Sequence, residues 1–94
     1  MAHLEILEMS LSRAEFLRLL PGAVGSVPIE EAGTFGASDG RRCWTLRLCP
    51  LADQHVGSVN LPRHRVELRL EGYSDEEAAA FMVRFHRGFL RGGG

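Results

Sequence analysis

Alternating arginine and glutamate over residues 64–71 is the pattern in this chain with most to offer chemically. His64-Arg65-Val66-Glu67-Leu68-Arg69-Leu70-Glu71 sets Arg65, Glu67, Arg69 and Glu71 on one side of an extended strand, and Val66, Leu68 and Leu70 on the other. A second strand is read over 42–49, with Trp44, Leu46 and Leu48 on its apolar side and Cys43, Thr45 and Arg47 opposite. If the two strands pair, Arg47, Arg65, Glu67 and Arg69 form a mixed-charge face suited to a protein partner. The plainer consequence is a solubilised sheet face, whose cross-strand ion pairs are each worth ~0.2–1 kcal/mol.

Arg63-His64, with Arg41-Arg42, make a second constellation. Gathered at one end of a sheet, these four would offer the convergent donors an anionic group requires. The histidines do not suggest a metal. His55 and His64 flank a long connection with Asp53, but no short-range or helical ligand spacing accompanies them. Cys43 and Cys49, the only cysteines, would lie about 20 Å apart on one strand at ~3.3 Å per residue. They are too distant for a disulfide and are not spaced as C-x-x-C, which fits free thiols in a reducing compartment. A strand-borne Cys paired with His64 would be the one nucleophile, although such a residue more commonly fills space. The glycines of 33–40 join two strands, so no helix N-terminus follows to cradle a phosphate. No catalytic residue, metal or cofactor is assigned, and the chain is read as non-enzymatic.

Composition narrows the classes further. The chain has 94 residues and a net charge of −1, enough for one domain with its own core. All eleven basic residues are Arg; Asn60 is the lone Asn and Ile6 and Ile29 the only Ile. A GC-rich bacterial genome explains this bias more simply than selection for guanidinium chemistry. Residues 1–40 carry two Arg against six acids, and 41–94 nine Arg against six. The overall balance makes nucleic acid an unlikely partner while allowing a local basic patch. No apolar run approaches the ~20 residues of a membrane span, and Glu5 and Glu8 interrupt the apolar start. A cytoplasmic protein with no membrane contact is expected.

The elements that must hold these residues are marked by two capping boxes, Ser12-Arg13-Ala14-Glu15 and Ser74-Asp75-Glu76-Glu77. The first opens a helix over 13–20, ended by Pro21-Gly22. The second opens a helix over 75–90 with Ala78, Phe81, Met82, Phe85 and Phe89 on its apolar stripe. Residues 3–10 alternate imperfectly and read as a strand. Val27-Pro28-Ile29-Glu30 reads as an edge strand, Gly33–Gly40 as a turn-rich connection, and Pro50–Pro62 as a long loop whose residues 56–61 extend a hairpin. Phe89 and Leu90, with the open sheet face, are where a homodimer contact would be sought.

The expected architecture is therefore α+β: a two-layer open sandwich, strand–helix–three strands–helix, with an antiparallel-rich sheet and both helices on one face. One compact domain spans 1–91, followed by a flexible tail at 92–94. The helix–three strands–helix order resembles that of the double-stranded-RNA-binding domain. Such a domain presents a basic start to its last helix, where this chain has Asp75-Glu76-Glu77, and no family is assigned. The expected function is a non-enzymatic interaction or assembly module with an unidentified protein partner. It would act through Arg47, Arg65, Glu67 and Arg69 and the 50–62 loop. The alternative is a nucleic-acid-binding domain using the Arg-rich strand ends.

Overall fold

Strict alternation over 64–71 builds the centre of the molecule. Val66, Leu68 and Leu70 are fully buried on one side of this strand, and Leu46 and Trp44 are buried beside them on its neighbour. Each such side chain contributes ~1.5–3 kcal/mol by leaving water. In the computed structural model, which describes residues 2–93, the element order is β1 (Ala2–Met9), α1 (Arg13–Val24), β2 (Ile29–Glu31), β3 (Thr34–Ser38), β4 (Cys43–Val56), β5 (Val59–Glu71) and α2 (Asp75–Gly93). The five strands form one antiparallel sheet in the order β1-β5-β4-β3-β2. Both helices cover one face, as the alternation and the amphipathic stripes require. No helix among the described residues is long and apolar enough to cross a membrane.

The capping boxes start both helices where expected. Ser12 Oγ accepts from Glu15 N at 3.2 Å, and Ser74 Oγ from Glu77 N at 3.1 Å. In the second box the Glu77 carboxylate also returns to Ser74 N at 2.9 Å, so both halves are made.

Four local readings change. First, α1 runs through Pro21-Gly22 to Val24 and ends at Gly25, whose left-handed backbone (φ 82) lets its N–H reach Pro21 O at 2.8 Å. Proline forfeits one hydrogen bond inside the helix. The extra turn brings Ala23 into the core, which offsets that loss. Second, Thr34–Ser38 lies within the stretch read as a turn-rich connection and forms a strand of its own, β3. Phe35 is buried there, and Gly36 is needed because a Cβ would stand 2.7 Å from the Trp44 carbonyl oxygen. Third, the loop after Cys49 is mostly strand, described below. The helix α2 also extends to Gly93, taking in two of the three glycines read as a tail; Gly94 lies outside the described residues.

The helices meet at small residues. A Cβ on Gly88 would fall 2.5 Å from Ala23 Cα, so the two backbones touch there. Phe16 stacks on Phe89 with ring centroids 4.9 Å apart, and Phe85 packs against Phe89 at the same distance. Phe81 bridges Trp44 and Tyr73. The phenylalanine stripe is thus core, and Phe89 is buried rather than available to a second copy. The side chain of Leu90 lies outside the described residues.

Candidate protein-interaction face

Side chains of a strand alternate between faces, so the register fixes what the helix-free side of the sheet displays. Reading across from β1 to β2, one row is Leu4, Arg69, Thr45, Gly36 and Ile29, and the next is Ile6, Glu67, Arg47, Thr34 and Glu31. Glu8, Arg65 and Cys49 form a third row. The four residues expected to bind a partner are therefore brought together, with Arg47 directly opposite Glu67.

Their ion pairs run along β5 rather than across strands. Arg65 meets Glu67 at 3.2 Å and Arg69 meets Glu71 at 2.8 Å, each pair two residues apart on the same face. Among the described residues Arg47 makes no ion pair. A shallow hollow of about 240 Å³ lies between Leu4, Thr45, Arg47, Glu67 and Arg69. Cys43 and Cys49 are free thiols, partly buried, and share this face.

The expected long loop is a two-stranded ribbon. β4 and β5 stay paired to the Val56–Val59 rung and turn through Gly57-Ser58, where Gly57 takes φ 61 at the first central position of a two-residue turn. Beyond residue 50 the ribbon outruns the helices, which draws the molecule out to 47 × 27 × 22 Å. One bulge interrupts it, Ala52 and Asp53 standing against Pro62 alone. Proline can sit there because a bulge leaves no ladder bond for the missing N–H. The extra residue also reverses the alternation on β4. Gln54 and Val56 consequently share a face with Val59, Leu61 and Arg63, and that face continues the Arg/Glu side of the sheet. Val56 and Val59 are 55% and 54% exposed at its tip.

The four residues proposed to hold an anion do not converge. Cys43 is in register with Glu71, and Pro50 with His64, so Arg41-Arg42 and Arg63-His64 stand at opposite ends of the paired strands. Each group is already engaged. Arg41 grips Glu77 through two contacts, at 2.7 and 3.4 Å, and Arg42 touches the same carboxylate at 3.3 Å. Arg42 Nε also donates to Asp39 Oδ2 at 3.1 Å, and its guanidinium lies 5.3 Å from the centre of the Tyr73 ring. Asp39 caps its own turn, accepting from Arg41 N and Arg42 N at 3.1 and 2.7 Å. The donors hold both carboxyls in the ionised form. Glu77 is lowered to about 2, chiefly by the Arg41 guanidinium and then by Ser74 N–H, and Asp39 is lowered chiefly by the Arg42 backbone N–H. At the other end Arg63 donates to Glu8 at 3.2 Å, and His64 Nδ1 donates to the Leu11 carbonyl at 2.8 Å. These clusters pin the strand ends to α2 and to the start of α1.

Among the described residues no group of three or more His, Cys, Asp or Glu side chains is placed to hold a metal ion. Sequence reasoning missed the apolar members of the open face: Leu4 and Ile6 on β1, and Val56, Val59 and Leu61 on the ribbon. The hairpin extension read over 56–61 is the tip of the ribbon, and the Gly57-Ser58 turn flanked by strand formers could have carried it back towards Cys49. Nothing in 3–10 distinguishes the face of Leu4 and Ile6 from that of Leu7 and Met9. Comparison with known proteins returns no matching family model, no matching curated protein and no matching solved structure, so the reading of function rests on this face alone.

Proposed function

We propose that the chain is a non-enzymatic protein-interaction module that seats a partner on the open sheet face and the β4–β5 ribbon. One observation carries the reading: the register lays exposed Val56, Val59 and Leu61 on the same side as Arg47, Arg65, Glu67 and Arg69. A two-stranded ribbon without a helix beneath it gains little from its own packing. Exposed aliphatic side chains at its tip are then a cost to solubility that a partner would relieve. The neighbouring charges supply orientation and exclude wrong partners.

Nucleic acid is the weaker reading. Arg65, Arg69, Arg41, Arg42 and Arg63 each lie against a carboxylate, which a phosphate would have to displace. The test is capture of a partner from the source organism by the wild-type chain and by an Arg65→Glu/Arg69→Glu variant. Both side chains are exposed, so the variant should stay folded, at a cost of about 1–2 kcal/mol because each new Glu stands beside Glu67 or Glu71, and lose the partner. Retention of the same partner at the same yield refutes the face.

A further inference from the structure

The two edges of the sheet are built differently. β2 is three residues long, follows Pro28, and carries Glu30 and Glu31. Short length, proline and charge are the usual devices that keep an edge from pairing with another chain. β1 carries charge too, in Glu5 and Glu8, but has neither the short length nor the proline. It is eight residues long, has no proline and no bulge, and holds an unbroken register with β5 from Ala2 to Met9. Its outer row of N–H and C=O groups faces no other strand among the described residues. Leu4 and Ile6, at 66% and 58% exposure, lie on its open face.

The helix layer is unfinished on the same side. His3 and Glu5 border a groove of about 460 Å³ whose far wall is Asp75, Ala78, Ala79 and Met82 of α2. One turn on from Ala79, Val83 is 57% exposed. At 100° per residue, Ala79, Met82 and Val83 share the flank of α2 turned away from Gly88, the residue against α1. An unpaired strand and an exposed helix flank, where Ala79, Met82 and Val83 stand beside Asp75 and His86, therefore adjoin.

We infer that a second copy of this chain covers both, joining β1 to β1 antiparallel about a two-fold axis perpendicular to the sheet at Leu4. Such an axis keeps both helix layers on one side and both open faces on the other. Only registers that pair even residues with even satisfy it. Centring on Glu5 sets Glu5 against Glu5, and centring on Ile6 sets Leu4 against Glu8. Centring on Leu4 pairs Leu4 with Leu4 and Ala2 with Ile6, and twice sets His3, whose Nε2 lies 3.3 Å from the Tyr73 carbonyl oxygen and 3.7 Å from Asp75, opposite Glu5. The groove flanked by His3 and Glu5 then falls on the axis, where the two α2 flanks meet. That second contact is required, because a short strand pair is small beside the ~1,600 Å² of a standard interface. The product is a ten-stranded sheet whose two β4–β5 ribbons leave it in opposite directions along the strands.

Sedimentation and light scattering on the full chain test this, and neither depends on the partner proposed above. The wild type should be a dimer at micromolar concentration. Leu4→Lys, at an exposed position, should leave the circular dichroism unchanged and raise the dimer Kd roughly tenfold or more, since like charges directly opposite destabilise strand pairs. In a Cys43→Ser/Cys49→Ser background, Leu4→Cys should oxidise to a covalent dimer, whereas Ile6→Cys, facing Ala2, should not. A wild type that stays monomeric at several hundred micromolar overturns the inference. So does a dimer indifferent to Leu4→Lys, or one that cross-links through Ile6→Cys and not Leu4→Cys.

Discussion

Replacing Gly88 by alanine tests the helix contact that closes the core. In a helix interior Gly→Ala ordinarily stabilises by ~0.8–1.0 kcal/mol. Here the new Cβ would lie 2.5 Å from Ala23 Cα, 2.7 Å from its Cβ and 3.0 Å from its N. Two of those atoms are backbone and cannot rotate aside. Restoring ordinary carbon contact at ~3.5–4.0 Å demands that the helices part by more than an ångström. The Phe16–Phe89 stack, at 4.9 Å, spans the same seam and would loosen with it. Overpacking of this kind costs ~1–3 kcal/mol, so the propensity gain should be outweighed and the net loss about 1 kcal/mol. For a domain of this length that lowers Tm by roughly 4–8 °C. Gly22→Ala is the matched control, with nothing within 4 Å of its Cβ, and should raise stability by ~0.5–1 kcal/mol. Urea denaturation at fixed protein concentration reads both. A Gly88→Ala variant as stable as Gly22→Ala, with an unchanged m-value, would refute the close approach.

Other predictions follow from single sites. Gly72 holds φ 77 with its Cα against the Arg41 carbonyl, so Gly72→Ala should cost about 2 kcal/mol or more, seen as a lowered urea midpoint. Leu68→Ala, at a fully buried position of the central strand, should cost ~2–5 kcal/mol by the same measurement. Glu77 is lowered from 4.5 to about 2, so its contribution is complete above about pH 5 and fades as pH falls from 4.5 towards 2. Glu77→Gln should accordingly flatten the stability profile across that window and lower stability at pH 7. A profile that falls as steeply in the variant would show that other carboxylates govern the acid limb.

Local chemistry was legible where one force acted alone. The Ser-x-x-Glu boxes marked both helix starts because capping is decided within four residues. The period-2 pattern of 64–71 marked the central strand because one face is wholly buried. Elsewhere two forces competed. Pro21 signals a helix end, but burial of Ala23 against Gly88 carries α1 one turn further. Gly33, Gly36 and Gly40 read as turns, yet only Gly33 and Gly40 have positive φ; Gly36 serves in a strand for clearance over Trp44. On β1, Leu4 and Ile6 match Leu7 and Met9 in hydrophobicity, and the choice of face is made by the helices. The charged face was readable as a set of residues, whereas its apolar rim needed the register. The four anion-site candidates were misgathered because sequence does not tell which ends of two strands adjoin.

The pairing of β1 with β5 sets an order of events for the growing chain. Ala2 lies opposite Glu71, so β1 has no place in the sheet until β5, more than fifty residues further along the chain, has been made. Until then Leu7 and Met9 remain uncovered, while the β4–β5 hairpin, closed by a two-residue turn, can form by itself. Contacts between such distant residues come late because closing the intervening loop is entropically unfavourable. A nascent chain halted before β5 thus exposes a sticky strand with nothing to hold it.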